Sequence, residues 1–465
     1  MSAPLISKKV LPQGHGLALM SFLQKLESSA CPTAMTQAKW CLLDALGCGL
    51  FGVKQPWGQI IVADVLADQS QGDGTIFGQT QTVSASQAAL CNGTAIHGFE
   101  LDDLLPAAVI HPGTVIIPAV MAAAEAVNAT GEQTLLGIVA GYEATARISL
   151  ALGMDPSNRG FHKTSVVGPV AGAIAAAVTM KLSLEQMIWA VGLACSCASG
   201  IKNFAAGAGA GMVKRLHPGR AAEAGVRMAL LAKRGFTAPK GALDGNFGLL
   251  DVFSADSAKP HMLDQDLGES WAIDGGVWFK VYPICGWIQG VVQLLMALRS
   301  EHGIQASTVE KVVVATSTFA VKNNATVVVT DTMDAQYSIP YCVAVALTGD
   351  PGNPDEFSPA VLSNAVRTQI AQNVELIPDA QADAVYPAQF ACRVEIHLKD
   401  GRVFAAATEH AHGTPGDPLS EQEIIEKFKR LAGYAAMHSP SEDIVAVVSD
   451  LQRVTSIKQL TCLLH

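Results

Sequence analysis

The sequence predicts a mainly α protein: a long helical part, an α+β segment near residues 270–400, and a helical tail able to rejoin the first part. Three observations predict it. Apolar residues recur at helical spacing as far as Gly235, as in Leu17–Leu26 and Ala38–Leu50. From about Trp271 the composition changes: Val309–Thr316 is β-branched, and Arg393–Leu398 and Arg402–Ala407 alternate around Asp400-Gly401, a hairpin signal. Ser420-Glu-Gln-Glu423 then forms a capping box, with Leu419 and Ile424 spaced for a hydrophobic staple, so the chain returns to helix.

The elements follow in order. Asp68–Gln81, rich in Gly, Gln and Asp, reads as a surface loop. Ser84-Ala-Ser-Gln87 has capping-box spacing and should open a helix that ends near Phe99. After the His111-Pro112-Gly113 break, Val115–Asn128 and Thr134–Leu152 are apolar, alanine-heavy helices. Met154–Ser165 is dense in turn formers and delivers His162 beside Lys163 and Thr164. Gly168-Pro169 suits a helix start with proline in the first helical position, and Ser183–Gln186 is a second capping box opening a helix through Cys197. Asn203–Met212 reads as a flexible Gly/Ala linker, and Pro218 should start the helix that ends before Gly235, with Arg220 in its first turn.

Composition narrows the function. At 465 residues, 49% hydrophobic and only 15% charged, the chain has a large core and little polar surface to cover it. That favours a buried subunit interface, and a two-fold homodimer is expected. A net charge of −10 without basic runs argues against nucleic acid. Ser165–Met180 and Gln186–Ile201 are uncharged, but they are slightly short and rich in Ala, Gly and Ser, which fits buried helices better than membrane spans. Lys8 and Lys9 are not followed by an apolar run, and the ten scattered cysteines form no C-x-x-C array. A reduced, cytoplasmic setting is expected.

The chemistry concentrates in Ile96–Gly113, which holds His97, Glu100, Asp102, Asp103 and His111. Asp102 and Asp103 should follow a helix C-terminus, where exposed carbonyls disfavour carboxylates. They need a cation, a donor or a proton, and His162, Lys214 and His217 are candidates to supply one. His111 suits a catalytic role or a loop histidine bonded to a carbonyl. His162 lies just before a helix start, where amides favour anions, and equally suits a surface loop. Lys214 and Arg215 at a helix start oppose the dipole unless an anion sits between them and the amides. No zinc spacing, phosphate loop or nucleophile elbow is present, so no metal or nucleotide is expected.

These residues resemble the MmgE/PrpD family, which includes 2-methylcitrate dehydratase, cis-aconitate decarboxylase and iminodisuccinate epimerase. The resemblance runs through HGFELDD (97–103), HPG (111–113), GYE (141–143), GFHKTSVVGP (160–169), KRLHPGRAA (214–222), KVYPICG (280–286), DAQYSIPY (334–341) and RVEIHLKDGR (393–402). It implies a helical domain formed by residues 1–268 and 406–465, an α+β lid over 269–405, a homodimer, and cofactor-free chemistry on di- or tricarboxylates. By the same resemblance, Asp102, His111, His162 and Lys214 match active-site positions, and Tyr282 belongs to the lid's YP motif.

One departure matters. Dehydratase and decarboxylase relatives usually continue that motif as YPCCRYTH, whereas this chain has Gly286 for the arginine and Gln289 for the histidine. That looks most like the epimerase branch: removal and return of an α-proton on an imino-linked dicarboxylate. His162 and His111 are then acid and base, in a one-base or two-base mechanism. Asp102 orients one of them or Lys214, and Lys214, Arg215, Arg220, Tyr282 and Gln289 bind substrate. The alternatives are a 2-methylcitrate dehydratase-like hydro-lyase, a cis-aconitate decarboxylase-like lyase, and a non-catalytic carboxylate-binding dimer.

Overall fold

The computed structural model describes residues 14–465 apart from 207–210, 387–388 and 436. Helices α1 (His15–Gln24), α2 (Pro32–Gly52), α3 (Pro56–Ala67), α4 (Ala85–Ile96), α5 (Gly113–Val127) and α6 (Gly131–Leu152) come first. They are followed by the short α7 (Asp155–Asn158), then α8 (Lys163–Thr179), α9 (Leu184–Cys195), α10 (Met212–Lys233) and α11 (Leu249–Ser254). Strands β1 (Gly74–Thr75) and β2 (Thr82–Val83) pair in front of α4. The loop expected over Asp68–Gln81 is therefore not all surface. Gly74–Phe77 is buried because the buried Glu125 carboxylate of α5 accepts from the Thr75 amide and hydroxyl.

The apolar alanine and glycine helices form one core, with α10 packed on α4, α8 and α9. Their small residues let backbones touch. A Cβ on Gly225 of α10 would lie 2.8 Å from the Gly172 backbone of α8, and one on Gly219 would lie 2.2 Å from Thr94 Oγ1 of α4. This packing overrides the proline reading. Pro169 and Pro218 lie inside α8 and α10, roughly two turns in, rather than opening them. Helix α6 is long and apolar enough to cross a membrane by composition, and 89% of its apolar window is buried inside the protein, as in a core helix.

The second part holds α12 (Gly286–His302), β3 (Val309–Thr316), α13 (Thr318–Asn323), α14 (Thr332–Tyr337), α15 (Ile339–Thr348), α16 (Ala365–Gln372), β4 (Val374–Pro378), α17 (Ala380–Val385), β5 (Cys392–Leu398) and β6 (Val403–Thr408). The sheet order is β4-β3-β5-β6, with β3 and β4 parallel and the other pairs antiparallel. The β5–β6 hairpin turns at Asp400-Gly401, where Gly401 takes φ 88°, within one residue of the sequence reading. Alternate residues Cys392, Val394, Ile396 and Leu398 are buried, and α12 packs on β5 and β6.

The chain then returns through α18 (Glu421–Ala432), α19 (Ser441–Ser449) and α20 (Lys458–Thr461). Helix α18 packs on α2, and Lys427 of α18 pairs with the buried Asp44 of α2 at 2.6 Å. The fold is mainly α with a small α+β part, as the sequence predicts. All ten cysteines are free.

Candidate active site

The site is built where α4 ends. A 3-10 turn, His97–Phe99, tightens the chain, and Glu100 follows at φ 57°, a left-handed conformation that a glutamate rarely adopts. That turn aims the Glu100 carboxylate at two ammonium groups. Lys214, in the first turn of α10, pairs with Oε1, and Lys280 donates to Oε2 at 3.1 Å. All three are buried. Lys214 also donates to the Tyr337 hydroxyl at 2.8 Å, so the charge cluster joins the helical part to α14. Gln336, beside it, donates to the Phe99 and Pro283 carbonyls and fixes the same junction. Burial opposes the Glu100 charge, but Lys214, Lys280 and His97 outweigh it and hold its pKa well below the usual carboxylate range. Burial likewise opposes the charge of Lys280, yet Glu100 and Asp102 raise its pKa.

The two adjacent acids find separate partners. Asp102 Oδ2 accepts from His97 Nδ1 at 3.0 Å and from His111 Nδ1 at 2.7 Å. Burial pushes the Asp102 carboxyl up, but His97, His111 and Lys280 overcome it and hold it ionised. An ionised carboxylate only accepts, so both Nδ1 atoms carry the proton and His111 presents Nε2 as its free nitrogen. His97, with burial as the dominant cause, is held at about 4 and stays neutral. Asp103 accepts from the Gly113 amide at 2.9 Å and the Tyr142 hydroxyl at 2.6 Å. A Cβ at Gly113 would lie 2.5 Å from Asp103 Oδ1, so the HPG break needs its glycine here. Among the described residues no cation pairs with Asp103, and burial pushes it up to about 7.

His162 is the N-cap residue of α8. Its ring stacks on that of His97, with centroids 6.1 Å apart, and its Nδ1 lies 3.0 Å from Nδ1 of His217 on α10. Burial, then its neighbours His97, Lys214 and His217, keep its pKa well below the ordinary histidine value. His111 reaches the same space from a loop that carries Val109 at φ 52°. Lys163 and Ser149 clamp that loop, both donating to the Ala108 carbonyl at 2.8 Å.

His111, His162, Lys214, Lys280 and Glu100 line one cavity of about 290 Å³, closed by Gly286, Trp287, Phe319 and Tyr337 from the α+β part. Phe161, Phe204 and Phe390 give it an apolar wall. The arrangement offers ammonium groups for carboxylates and two imidazoles for moving a proton, in a site suited to a small ligand.

Of the residues singled out from sequence, the structure brings His111, His162 and Lys214 together and puts Asp102 directly behind His111. Arg215, Arg220, Tyr282 and Gln289, expected to bind substrate beside Lys214, lie elsewhere. Arg215 stacks on the Trp57 ring at 3.6 Å, an aromatic face taking the place of an anion. Arg220 is exposed and pairs with Glu223. Gln289 is buried and bonds to the Tyr282 amide, the Tyr282 carbonyl and the Ile284 carbonyl, so it holds the YP loop. Tyr282 is half-buried, packed on the core and outside the cavity wall. The sequence reading assigned no role to Glu100, Lys280 or Tyr337. Glu100 lies in the acidic stretch and Lys280 opens the KVYP motif, but nothing local marks them as partners.

His97, Asp102 and His111 are the described residues that could hold a metal ion, with ligand atoms within 4.8 Å of one another. Both imidazole Nδ1 atoms address one carboxylate oxygen in hydrogen-bond geometry, however, which leaves no shared point for their lone pairs.

A helical body, an α+β cover and a buried cavity setting imidazoles against ammonium groups together define the class. The chain belongs to the MmgE/PrpD family: the family's N-terminal domain matches residues 18–261 and its C-terminal domain residues 282–453. A cis-aconitate decarboxylase of Aspergillus terreus is 28% identical over 459 residues, covering 93% of this chain and 91% of that protein. The human cis-aconitate decarboxylase is 27% identical over 444 residues, covering 92% and 89%. A 2-methylcitrate dehydratase of Salmonella typhimurium is 28% identical over 235 residues, 47% of each chain.

Proposed function

We propose that the protein is a lyase acting on a small tricarboxylate of the cis-aconitate or 2-methylcitrate type, decarboxylation being the favoured step. The observation that carries this reading is the convergence of His111, His162, Lys214 and Lys280 on one cavity with an apolar wall. Relatives similar along nearly the full chain bear the decarboxylase name, which supports the lyase over the epimerase. In decarboxylation the C–C bond to one carboxylate breaks and CO2 leaves. The electron pair passes into the remaining conjugated carboxylate, which Lys214 and Lys280 stabilise. An imidazolium then gives one proton to carbon. His111 is the group placed to carry that proton, because Asp102 holds its Nδ1 at 2.7 Å and the ring lines the cavity. Phe161, Phe204 and Trp287 keep water from the leaving group.

The epimerase reading loses part of its basis. Gln289 is spent on backbone groups, so a histidine at that position is no obvious missing acid of this cavity. Gly286 does line the cavity, and the absence of a cation there keeps epimerisation of an iminodisuccinate-type dicarboxylate as the second reading. We also place the protein as a cytoplasmic homodimer, in keeping with its free thiols and low charged content.

The test is NMR of the purified protein in D2O with cis-aconitate, 2-methylcitrate and iminodisuccinate stereoisomers in separate tubes. Release of CO2 from cis-aconitate, with one deuteron fixed in the product, is expected. Dehydration of 2-methylcitrate alone would keep the lyase class and change the bond. Exchange of the iminodisuccinate α-proton without any lyase product would overturn the proposal, and binding without turnover would make the protein a carboxylate carrier.

A further inference from the structure

The pair His162–His217 has two nitrogens in contact and one hydrogen to share. Their Nδ1 atoms are 3.0 Å apart, the ring centroids 5.2 Å, and Phe204 closes over both rings edge-on at 5.3 and 5.7 Å. Two bare nitrogens at that distance would oppose lone pairs, and two N–H groups would oppose hydrogens, so one of the two must donate. The backbones are fixed on both sides. The His162 amide donates to the Gly200 carbonyl at 2.9 Å, and a Cβ on Gly200 would lie 2.4 Å from Ser165 Oγ, which leaves little room to separate the rings. His217 sits one turn after Lys214 on α10, and burial, with Lys214 adding to it, holds both imidazoles below their ordinary pKa, hence neutral.

We propose that His217 is a positioning residue that sets the proton on His162: the hydrogen held between their Nδ1 atoms decides whether the nitrogen His162 has left for the cavity acts as base or acid. When His162 donates to His217, its Nε2 is bare and can take a proton. When His217 donates, His162 Nε2 carries the hydrogen and can give it. The step balances within the pair. As His162 Nε2 gains a proton from substrate, its Nδ1 hydrogen passes to His217 Nδ1, His217 becomes the imidazolium, and His162 stays neutral with its role reversed. One imidazole thereby serves both directions of a proton transfer without meeting bulk water. The inference rests on the proton-transfer reading of the cavity; in decarboxylation, which takes no proton from substrate, the same step runs in reverse, with His217 starting as the imidazolium and His162 Nε2 giving its proton to carbon.

The test joins a spectroscopic and a kinetic readout on the full chain. With 15N-histidine labelling, the long-range couplings of the His162 ring report its tautomer in wild type, His217→Leu and His217→Asn. The expected result is a changed His162 tautomer population in His217→Leu. Its kcat should be about 100-fold lower with KM within about threefold, and His217→Asn, whose amide can still donate or accept, should regain part of that loss. Circular-dichroism melts establish that both variants are folded. An unchanged His162 tautomer in His217→Leu, or kcat and KM moving together in both variants, would overturn the proposal. Should wild type turn over none of the three carboxylates, the functional reading fails, while the tautomer comparison still decides the coupling.

Discussion

Replacing Glu100 with glutamine removes one negative charge and almost no volume from the centre of the cavity wall. In the wild type one carboxylate faces two ammonium groups, and Lys214 and Lys280 are 4% and 1% exposed, so solvent screens them little. At the 3.1 Å separation of Lys280 and Glu100, and an effective dielectric of about 20, the lost attraction is about 5 kcal/mol. The variant recovers part of this by releasing a proton from one lysine, at about 1.4 kcal/mol for each unit its pKa falls below the pH. A net loss of about 3–5 kcal/mol is expected at pH 7, as for other buried pairs broken on one side. The pH dependence supplies the sharper check. In Glu100→Gln a lysine has a folded pKa below its unfolded value of about 10.4, so the unfolded chain binds more protons between those two values and stability rises with pH there. In the wild type Lys280 is raised, so its contribution is complete below about pH 10 and is lost as pH rises through its folded pKa. Urea unfolding followed by tryptophan fluorescence at pH 7, 8.5 and 9.5 should show the deficit narrowing as pH rises. A deficit below about 1 kcal/mol, or one constant with pH, would refute the reasoning that the carboxylate neutralises two buried cations.

Further outcomes follow from the same geometry. His97, held at about 4, stays neutral while the unfolded chain takes up a proton below about 6.5, so about 3 kcal/mol of stability is lost as pH falls from 6.5 to 4. Asp103, at about 7, acts with opposite sign: its contribution is complete below pH 4 and lost as pH rises through 7. His97→Gln should therefore flatten the acid limb of the urea midpoint against pH, and Asp103→Asn the neutral one. Gln289→His loses its bonds to Tyr282 and Ile284 and should cost about 1–3 kcal/mol in urea unfolding. Gly286→Arg, whose Cβ would sit 3.4 Å from the Trp278 ring in ordinary contact, should fold normally and lower KM for tricarboxylates. Lys163→Met releases one of the two donors on the Ala108 carbonyl and loosens the turn holding Val109 at φ 52°, so kcat should fall about tenfold or more through His111, with a urea midpoint close to wild type.

What was legible in the sequence was what neighbours decide. The capping boxes at Ser183–Gln186 and Ser420–Glu423 form with both reciprocal bonds, and the β5–β6 hairpin lies where Asp400-Gly401 puts it. The Ser84–Gln87 match marks the right helix start with the wrong chemistry. Ser84 donates to the Gln87 side chain at 3.0 Å, and Ser70 from the preceding loop also reaches Gln87. Pro169 and Pro218 misled for the opposite reason: their helices are set by backbone contact between α8, α10 and α4, which no local pattern carries. The candidate site divides the same way. A short run of acids and histidines within Ile96–Gly113 announced itself by its charge in an apolar chain, and the turn after α4 does place those groups inward. Which cation meets which acid was not readable, because Glu100 meets Lys214 across 114 residues and Lys280 across 180. Arg215 shows the cost of reasoning from helix dipoles alone. A cation at a helix start needs a negative partner only if no aromatic face is nearer, and Trp57 supplies that face. The cavity's charge is thus carried by lysines that the fold pairs over long distance, while the arginines beside them in sequence serve packing and surface.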